Sequence, residues 1–330
     1  MTKRIFIDGA SGTTAFSLKQ ALEPFIENNE IDLIEISDTR DVKLRQKASR
    51  EADLVILCLP DDVTKQTIPF LRKYDVQTID ASSAHRDMPI KDKNFWAYGF
   101  PELNEDQPRK IANARFVSNP GCFATGAISI LTPLIKDGIL SKDAPNIVNG
   151  VAGYTTGGKK MVGNFEKPNN DDYLLSRAFS QYNLTKPHRH IEEIKNYSGL
   201  NTNPVFTPTI LPIARGMIVS IPFNKASIPE EMRDQVTLET IQRTFEKYYN
   251  SPDSKVEILP LDPQRRSVNF GAFKMINEIK NAPPLDTVKI AVTGWDDGNE
   301  PQFIVYAMLD NLGKGAATQA VQNMKLMLKL

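Results

Sequence analysis

A chain of 330 residues with 41% apolar and 24% charged residues is long enough for two domains and has the composition of a globular protein, not of a disordered or fibrous one. Its 40 basic residues balance its 40 acidic ones, so no basic field draws nucleic acid or anionic lipid. The two cysteines, Cys58 and Cys122, lack CxxC or Cys/His metal spacing, and so give no support for a disulfide framework or a zinc site.

The opening residues enter a β-type run too soon for a signal peptide, and no apolar stretch approaches the roughly 18 residues of a membrane span. A soluble protein of the reducing cytoplasm is the expectation. Arg4 to Ile7 reads as a first strand. Asp8-Gly9-Ala10-Ser11-Gly12-Thr13-Thr14-Ala15 then reads as a glycine-bearing turn opening a helix to about Ile26. The spacing Gly9-x-x-Gly12-x-x-Ala15 is a variant of the dinucleotide fingerprint, in which glycines admit a pyrophosphate to a helix N-terminus. On that reading Gly9, Ser11, Gly12, Thr13 and Thr14 bind the cofactor. A tight turn of other purpose has the same glycines.

A second strand, Asp32 to Ser37, leads to Asp38 and Arg40, where an acid selects NAD and an arginine favours NADP. Arg40 makes NADP the expected cofactor, with Arg45 a competing phosphate ligand. Ala52 to Pro60 is a near-continuous apolar strand suited to a parallel sheet covered on both faces, with Cys58 inert inside it and Pro60 at its cofactor end. A helix from Asp61 to Lys73 and a strand from Val76 to Asp80 follow. The next loop, Ala81 to Arg86, lies at a carboxyl strand end, so Ser82, Ser83 and Arg86 are candidates for a phosphate group; turn hydrogen bonding would use the same serines.

Ala114 to Val117 reads as a strand, and Asn119-Pro120-Gly121-Cys122 follows it, before the apolar helix of Ala127 to Ile135. Pro120 holds Asn119 extended, Gly121 permits close approach, and Cys122 falls where a turn becomes a helix. Unpaired N–H groups and the macrodipole there favour the thiolate and can receive an oxyanion, which makes Cys122 a candidate nucleophile.

Beyond Cys122 strands outnumber helices. Asn146 to Val151, Val205 to Leu211, Met217 to Phe223, Lys255 to Leu259, Ser267 to Met275, Val288 to Thr293 and Gln302 to Leu309 read as strands. Ala152 to Lys160 reads as a flexible basic loop, Glu230 to Asn250 as one helix, and Gly313 to Leu330 as a helical tail. The fold class is therefore α/β: a Rossmann-type doubly wound parallel sheet followed by an α+β domain. A thiol nucleophile needs an imidazole, and His188-Arg189-His190 offers two; His85, in the serine loop, is the weaker base.

Asn119-Pro120-Gly121-Cys122-Phe123, Asp80-Ala81-Ser82-Ser83-Ala84-His85-Arg86, Tyr98 to Leu103, His188-Arg189-His190 and the Asn311 to Met324 tail together resemble the N-acetyl-gamma-glutamyl-phosphate reductases, in the shorter of that family's two branches. The resemblance implies an NADP-binding domain over residues 1–121, completed by a C-terminal helix over 312–330. It implies a catalytic and dimerisation domain of the glyceraldehyde-3-phosphate dehydrogenase kind over 122–311. It further implies NADPH-dependent reduction of an acyl phosphate, in a homodimer or homotetramer without nucleic-acid or membrane partners. Cys122 is then the nucleophile, His188 the base, Glu193 its orienting carboxylate, and His190 a substrate ligand, with the two histidines exchangeable in role. Asn119, Ser82, Arg86 and Arg215 take substrate, though Arg215 reads equally as an ion-paired arginine at a strand end. Glu192 stands where the commoner pattern has proline. Lys159 and Lys160 carry no assignment.

Rival readings are an aspartate-semialdehyde dehydrogenase, a cofactor-free thiol hydrolase or acyltransferase, and an NADP-binding redox sensor. Each keeps Cys122 and changes what surrounds it.

Overall fold

A computed structural model describes residues 1–10, 12–166, 179–262, 264–268, 282–296 and 300–330. Contacts divide the chain into two compact units, Met1–Gly121 with Ala316–Leu330, and Cys122–Gly315.

In the first unit the elements run β1 (Lys3–Asp8), α1 (Thr13–Glu27), β2 (Ile31–Leu33), α2 (Val42–Glu51), β3 (Leu54–Leu57), α3 (Asp61–Lys73), β4 (Thr78–Asp80), α4 (Met88–Lys91), β5 (Trp96–Tyr98), α5 (Gln107–Asn113) and β6 (Phe116–Ser118). All strand pairs are parallel, in the order β2-β1-β3-β4-β6-β5. Side chains alternate across this sheet. Ile5, Ile7, Leu54, Ile56, Ile79 and Val117 meet one apolar cluster with Leu18 and Leu22 of α1, Ile111 of α5 and Met324 of the C-terminal helix. Phe6, Val55, Leu57 and Phe116 meet the other, with Ala48 of α2 and Ile68 and Leu71 of α3. Burial on both faces is why β3 reads as an unbroken apolar run.

The second unit begins with α6 (Cys122–Lys136) and continues through β7 (Ile147–Gly153), α7 (Gly158–Glu166), β8 (Ser180–Gln181), α8 (Arg189–Ser198), β9 (Val205–Leu211), β10 (Met217–Asn224), α9 (Leu238–Tyr248), β11 (Val256–Ile258), β12 (Val288–Trp295) and β13 (Gln302–Leu309). The chain then returns to the first unit as α10 (Thr318–Leu328). The described strands form a mixed sheet, β11-β12-β13-β10-β7-β9-β8, built on the long antiparallel pair from Met217 opposite Leu309 to Asn224 opposite Gln302. On β10, Met217, Val219, Ile221 and Phe223 are buried, and α6 crosses so close that a Cβ on Gly126 would stand 2.7 Å from Val219 Cγ2.

Three expectations differ from this structure. Ala152 to Lys160 is not a flexible loop: a 3-10 turn over Tyr154–Gly157 leads into α7, with Gly158 at φ +67 making the bend between them. The long helix from Glu230 is broken, because Thr237 and Thr240 form a capping box that starts α9 afresh. The second strand ends at Leu33, although Ile34 N–H still reaches Ile5 O at 2.8 Å. The strand expected over Ser267 to Met275 falls mostly outside the described residues.

Candidate active site

In the first unit β1 ends at Asp8 and turns at Gly9, where φ is +93 and a Cβ would lie 2.5 Å from the Cys58 carbonyl oxygen. Only glycine fits there. Gly12 donates to Gly9 O at 3.2 Å and caps α1 with no side chain of its own, so Thr13 and Thr14 begin a helix whose first N–H groups have no helical acceptor. β2 and β3 lie on opposite sides of β1, which makes this strand end the switch point of the sheet. Pro60 caps α3 just beyond β3. These features fit the pyrophosphate of a dinucleotide. Ser11 lies outside the described residues.

Arg40 is exposed, its backbone N–H held by Asp38 Oδ1 at 2.8 Å. The competing Arg45 is committed elsewhere: Nε and Nη2 clamp the two oxygens of buried Asp8 at 2.7 and 2.8 Å, and Nη2 reaches Thr67 Oγ1 at 3.3 Å.

At the end of β4 the serine loop is bound to itself. Ser82 N–H donates to Asp80 Oδ1 at 2.8 Å, and Ser82 Oγ accepts Ala84 N–H at 3.1 Å. Ser83 gives both its N–H and its hydroxyl to Asp61. Arg86 Nε donates to Asn119 O at 3.3 Å. Asn119 is 2% exposed: its N–H meets Asp80 O at 2.8 Å, its Nδ2 donates to Ala316 O at 2.9 Å, and its Oδ1 accepts from Asn323 Nδ2 at 3.0 Å. The Asn119 side chain thus ties the segment before Cys122 to the C-terminal helix.

In the second unit Cys122 is the first residue of α6. Gly315 lies against it, so that a Cβ there would stand 2.7 Å from Cys122 Cβ. Phe123, fully buried, packs edge-to-face with His188 and His190, with centroids at 6.4 and 5.8 Å. His188 caps α8 through Nδ1, which accepts His190 N–H at 3.2 Å, and its Nε2 lies 3.3 Å from Tyr182 Oη. The cap requires a lone pair on Nδ1, so the network assigns the proton of the neutral ring to Nε2, facing Tyr182. Burial and then the Cys122 charge push the Tyr182 phenol above its ordinary range. The two histidine rings are 4.6 Å apart, and His190 and Glu193 are buried. Tyr182 was not anticipated; it stands six residues before His188 in a segment without clear periodicity.

Arg215 is buried to 1%, and its guanidinium meets Asp310 at 3.2 Å and the carbonyls of Ala282 and Pro283 at 3.3 and 3.2 Å. That is the ion-paired, strand-end arginine of the second reading. Cys58 directly follows the buried strand β3; burial first, then the charges of Asp80 and Asp8, push its thiol up to about 12. Among the described residues no cluster of His, Cys, Asp and Glu could hold a metal, and no helix is long and apolar enough to cross a membrane.

The sequence of the chain matches the semialdehyde dehydrogenases in both units. Their NAD binding domain matches residues 5–111 and their dimerisation domain residues 122–311. Over its whole length the chain is similar to aspartate semialdehyde dehydrogenase II from Vibrio cholerae, with a TM-score of 0.65 at 16% identity, covering 100% of this chain and 99% of that one. A probable aspartate-semialdehyde dehydrogenase from Pseudomonas aeruginosa gives 0.67 at 15% identity, with the same coverage. These neighbours share the fold. At the level of sequence it is 38% identical to N-acetyl-gamma-glutamyl-phosphate reductase of Sinorhizobium medicae and 37% identical to that of Brucella ovis, each over 99% of both chains. The chain belongs to the N-acetyl-gamma-glutamyl-phosphate reductase family, and is an oxidoreductase with a nicotinamide-binding domain.

Proposed function

We propose that this chain reduces N-acetyl-gamma-glutamyl phosphate to the corresponding semialdehyde with NADPH, through a thioester on Cys122. The observation that carries this reading is a thiol on the first residue of α6, with the next residue, Phe123, packed against the rings of both His188 and His190. The helix N-terminus favours the thiolate, which attacks the acyl carbon; the carbon–oxygen bond to phosphate breaks and a thioester remains. Bound NADPH supplies a hydride. His188, with its proton on Nε2, and the α6 N–H groups stabilise the oxyanion that results, and the carbon–sulfur bond then breaks to return aldehyde and thiolate. His190 contacts the substrate, and Glu193 orients the imidazoles.

Gly9, Gly12, Thr13, Thr14 and Pro60 would hold the dinucleotide, and Ser11, between Gly9 and Gly12 in the sequence, is proposed with them. Arg40 would take the 2′-phosphate, since Arg45 is occupied by Asp8. Ser82 and Arg86 would bind the phosphoryl group, and Asn119 would shape that pocket. We further propose a homo-oligomer in which the sheet face bearing Ile218, Val151, Ile304 and Tyr306, half-buried in the single chain, meets a second copy. A nucleophilic thiol suits the reducing cytoplasm.

The test is the reverse reaction. N-acetylglutamate semialdehyde, phosphate and NADP+ should generate reduced cofactor, Cys122→Ser should abolish it, and Arg40→Ala should erase the advantage of NADP+ over NAD+. Equal turnover by Cys122→Ser, or a preference for aspartate semialdehyde, would overturn the reading.

A further inference from the structure

One buried titratable pair has no part in the scheme so far. Asp80, at the carboxyl end of β4, has a fully buried side chain, and its Oδ2 lies 2.7 Å from His85 Nδ1 while Oδ1 accepts Ser82 N–H. The His85 ring stacks on Trp96 at 5.0 Å, and Trp96 on Phe116 at 5.1 Å, so the imidazole is fixed from two sides. A carboxylate at Nδ1 keeps a proton on that nitrogen and fixes the orientation of the ring. Nε2 has no protein partner among the described residues, and 12% of the side chain remains exposed. An imidazole backed by a carboxylate, with its outer nitrogen open, is built to move a proton.

Its surroundings suit an anion. The Ser82 hydroxyl accepts Ala84 N–H with a lone pair, which leaves its own proton to donate. Arg86 follows His85 directly, and its Nε donates to Asn119 O at 3.3 Å. Asp80 pairs in register with Ser118, and its carbonyl accepts Asn119 N–H at 2.8 Å, so the pair is fastened to the segment that runs into Cys122.

We infer that His85, backed by Asp80, is the acid that protonates the phosphate as it leaves the acyl group. This rests on the acyl-phosphate chemistry proposed above. Carbon–oxygen cleavage of a dianionic acyl phosphate would by itself expel a phosphate trianion, a poor leaving group. The full reaction consumes one proton; thiolate and aldehyde are released without it, so it ends on phosphate. Transfer from His85 Nε2 to the bridging oxygen as that bond breaks yields hydrogen phosphate and a neutral ring. In reverse, Nε2 takes the proton as hydrogen phosphate attacks the thioester.

The test separates the two half-reactions in His85→Gln. With semialdehyde and NADP+ but no phosphate, wild type and variant should each give one burst equivalent of reduced cofactor and the same mass increase on Cys122. With phosphate added, steady turnover of the variant should fall by about 100-fold or more, and the acyl-enzyme mass should persist. Asp80→Asn, which keeps an acceptor for Ser82 N–H, should show the same split to a lesser degree. Loss of burst and turnover together, or turnover unchanged, overturns the proposal. A wild-type enzyme that gives no burst with this aldehyde overturns the substrate reading, and this proposal with it, before any variant is made.

Discussion

The two thiols show how strongly position governs cysteine chemistry. Cys122 sits on the first turn of a helix, whereas Cys58 follows β3, where burial first and then the charges of Asp80 and Asp8 push its thiol up to about 12. Iodoacetamide at pH 7.5 should therefore label Cys122 and leave Cys58 unmodified in the folded protein, as peptide mapping by mass spectrometry would report. Substantial labelling of Cys58 under native conditions would contradict the assignment. The contrast was legible in the sequence, because Pro120-Gly121 before one cysteine and an apolar run around the other are local signals. What surrounds Cys122 was less so. Tyr182 reaches His188 from a stretch with no periodicity, and the contact of Gly315 with Cys122 joins residues almost two hundred positions apart.

Among the elements, α8 starts on His188, an unusual cap whose ring nitrogen replaces the ordinary serine or aspartate oxygen. A histidine that both caps a helix and faces Tyr182 ties local stability to chemistry. His188→Asn should keep the cap and lose activity. His188→Ala should lose activity and also about 1 kcal/mol of stability, measured by urea denaturation. Equal stability of the two variants would show that the cap contributes nothing. Sequence rules find helices by apolar periodicity and by Ser, Thr, Asp or Asn at their starts, so α8 carried neither clear sign. The polar helix α2 was also missed, although Asp41 caps it by accepting from Lys43 and Leu44 N–H. The buried parallel strands and the β10–β13 pair were readable because their patterns are long or wholly apolar. Breaks such as the one at Thr237 depend on side-chain to backbone bonds that a periodicity cannot register.

For the whole molecule, the first unit consists of two pieces of chain far apart in sequence. Ala317, Ala320, Val321, Met324, Met327 and Leu328 are buried in its core cluster, and Asn323 bonds to Gly99 O at 2.9 Å and to Asn119. At about 1.5 kcal/mol or more for each large apolar side chain, this burial is comparable with the whole net stability of a domain, about 5–15 kcal/mol. A chain ending at Gly315 should therefore lack a cooperatively folded first unit, checked by calorimetry and by loss of NADP+ binding in titration calorimetry. Normal cofactor binding by the truncated chain would refute that dependence.

The clamp between Asp8 and Arg45 also constrains any redesign of coenzyme preference. A screen that randomised every arginine after β2 would find Arg45 intolerant, because its removal strands a carboxylate in the interior. Of the two arginines weighed for a 2′-phosphate, the solvent-facing Arg40 can vary without that cost, so a test of coenzyme preference begins there.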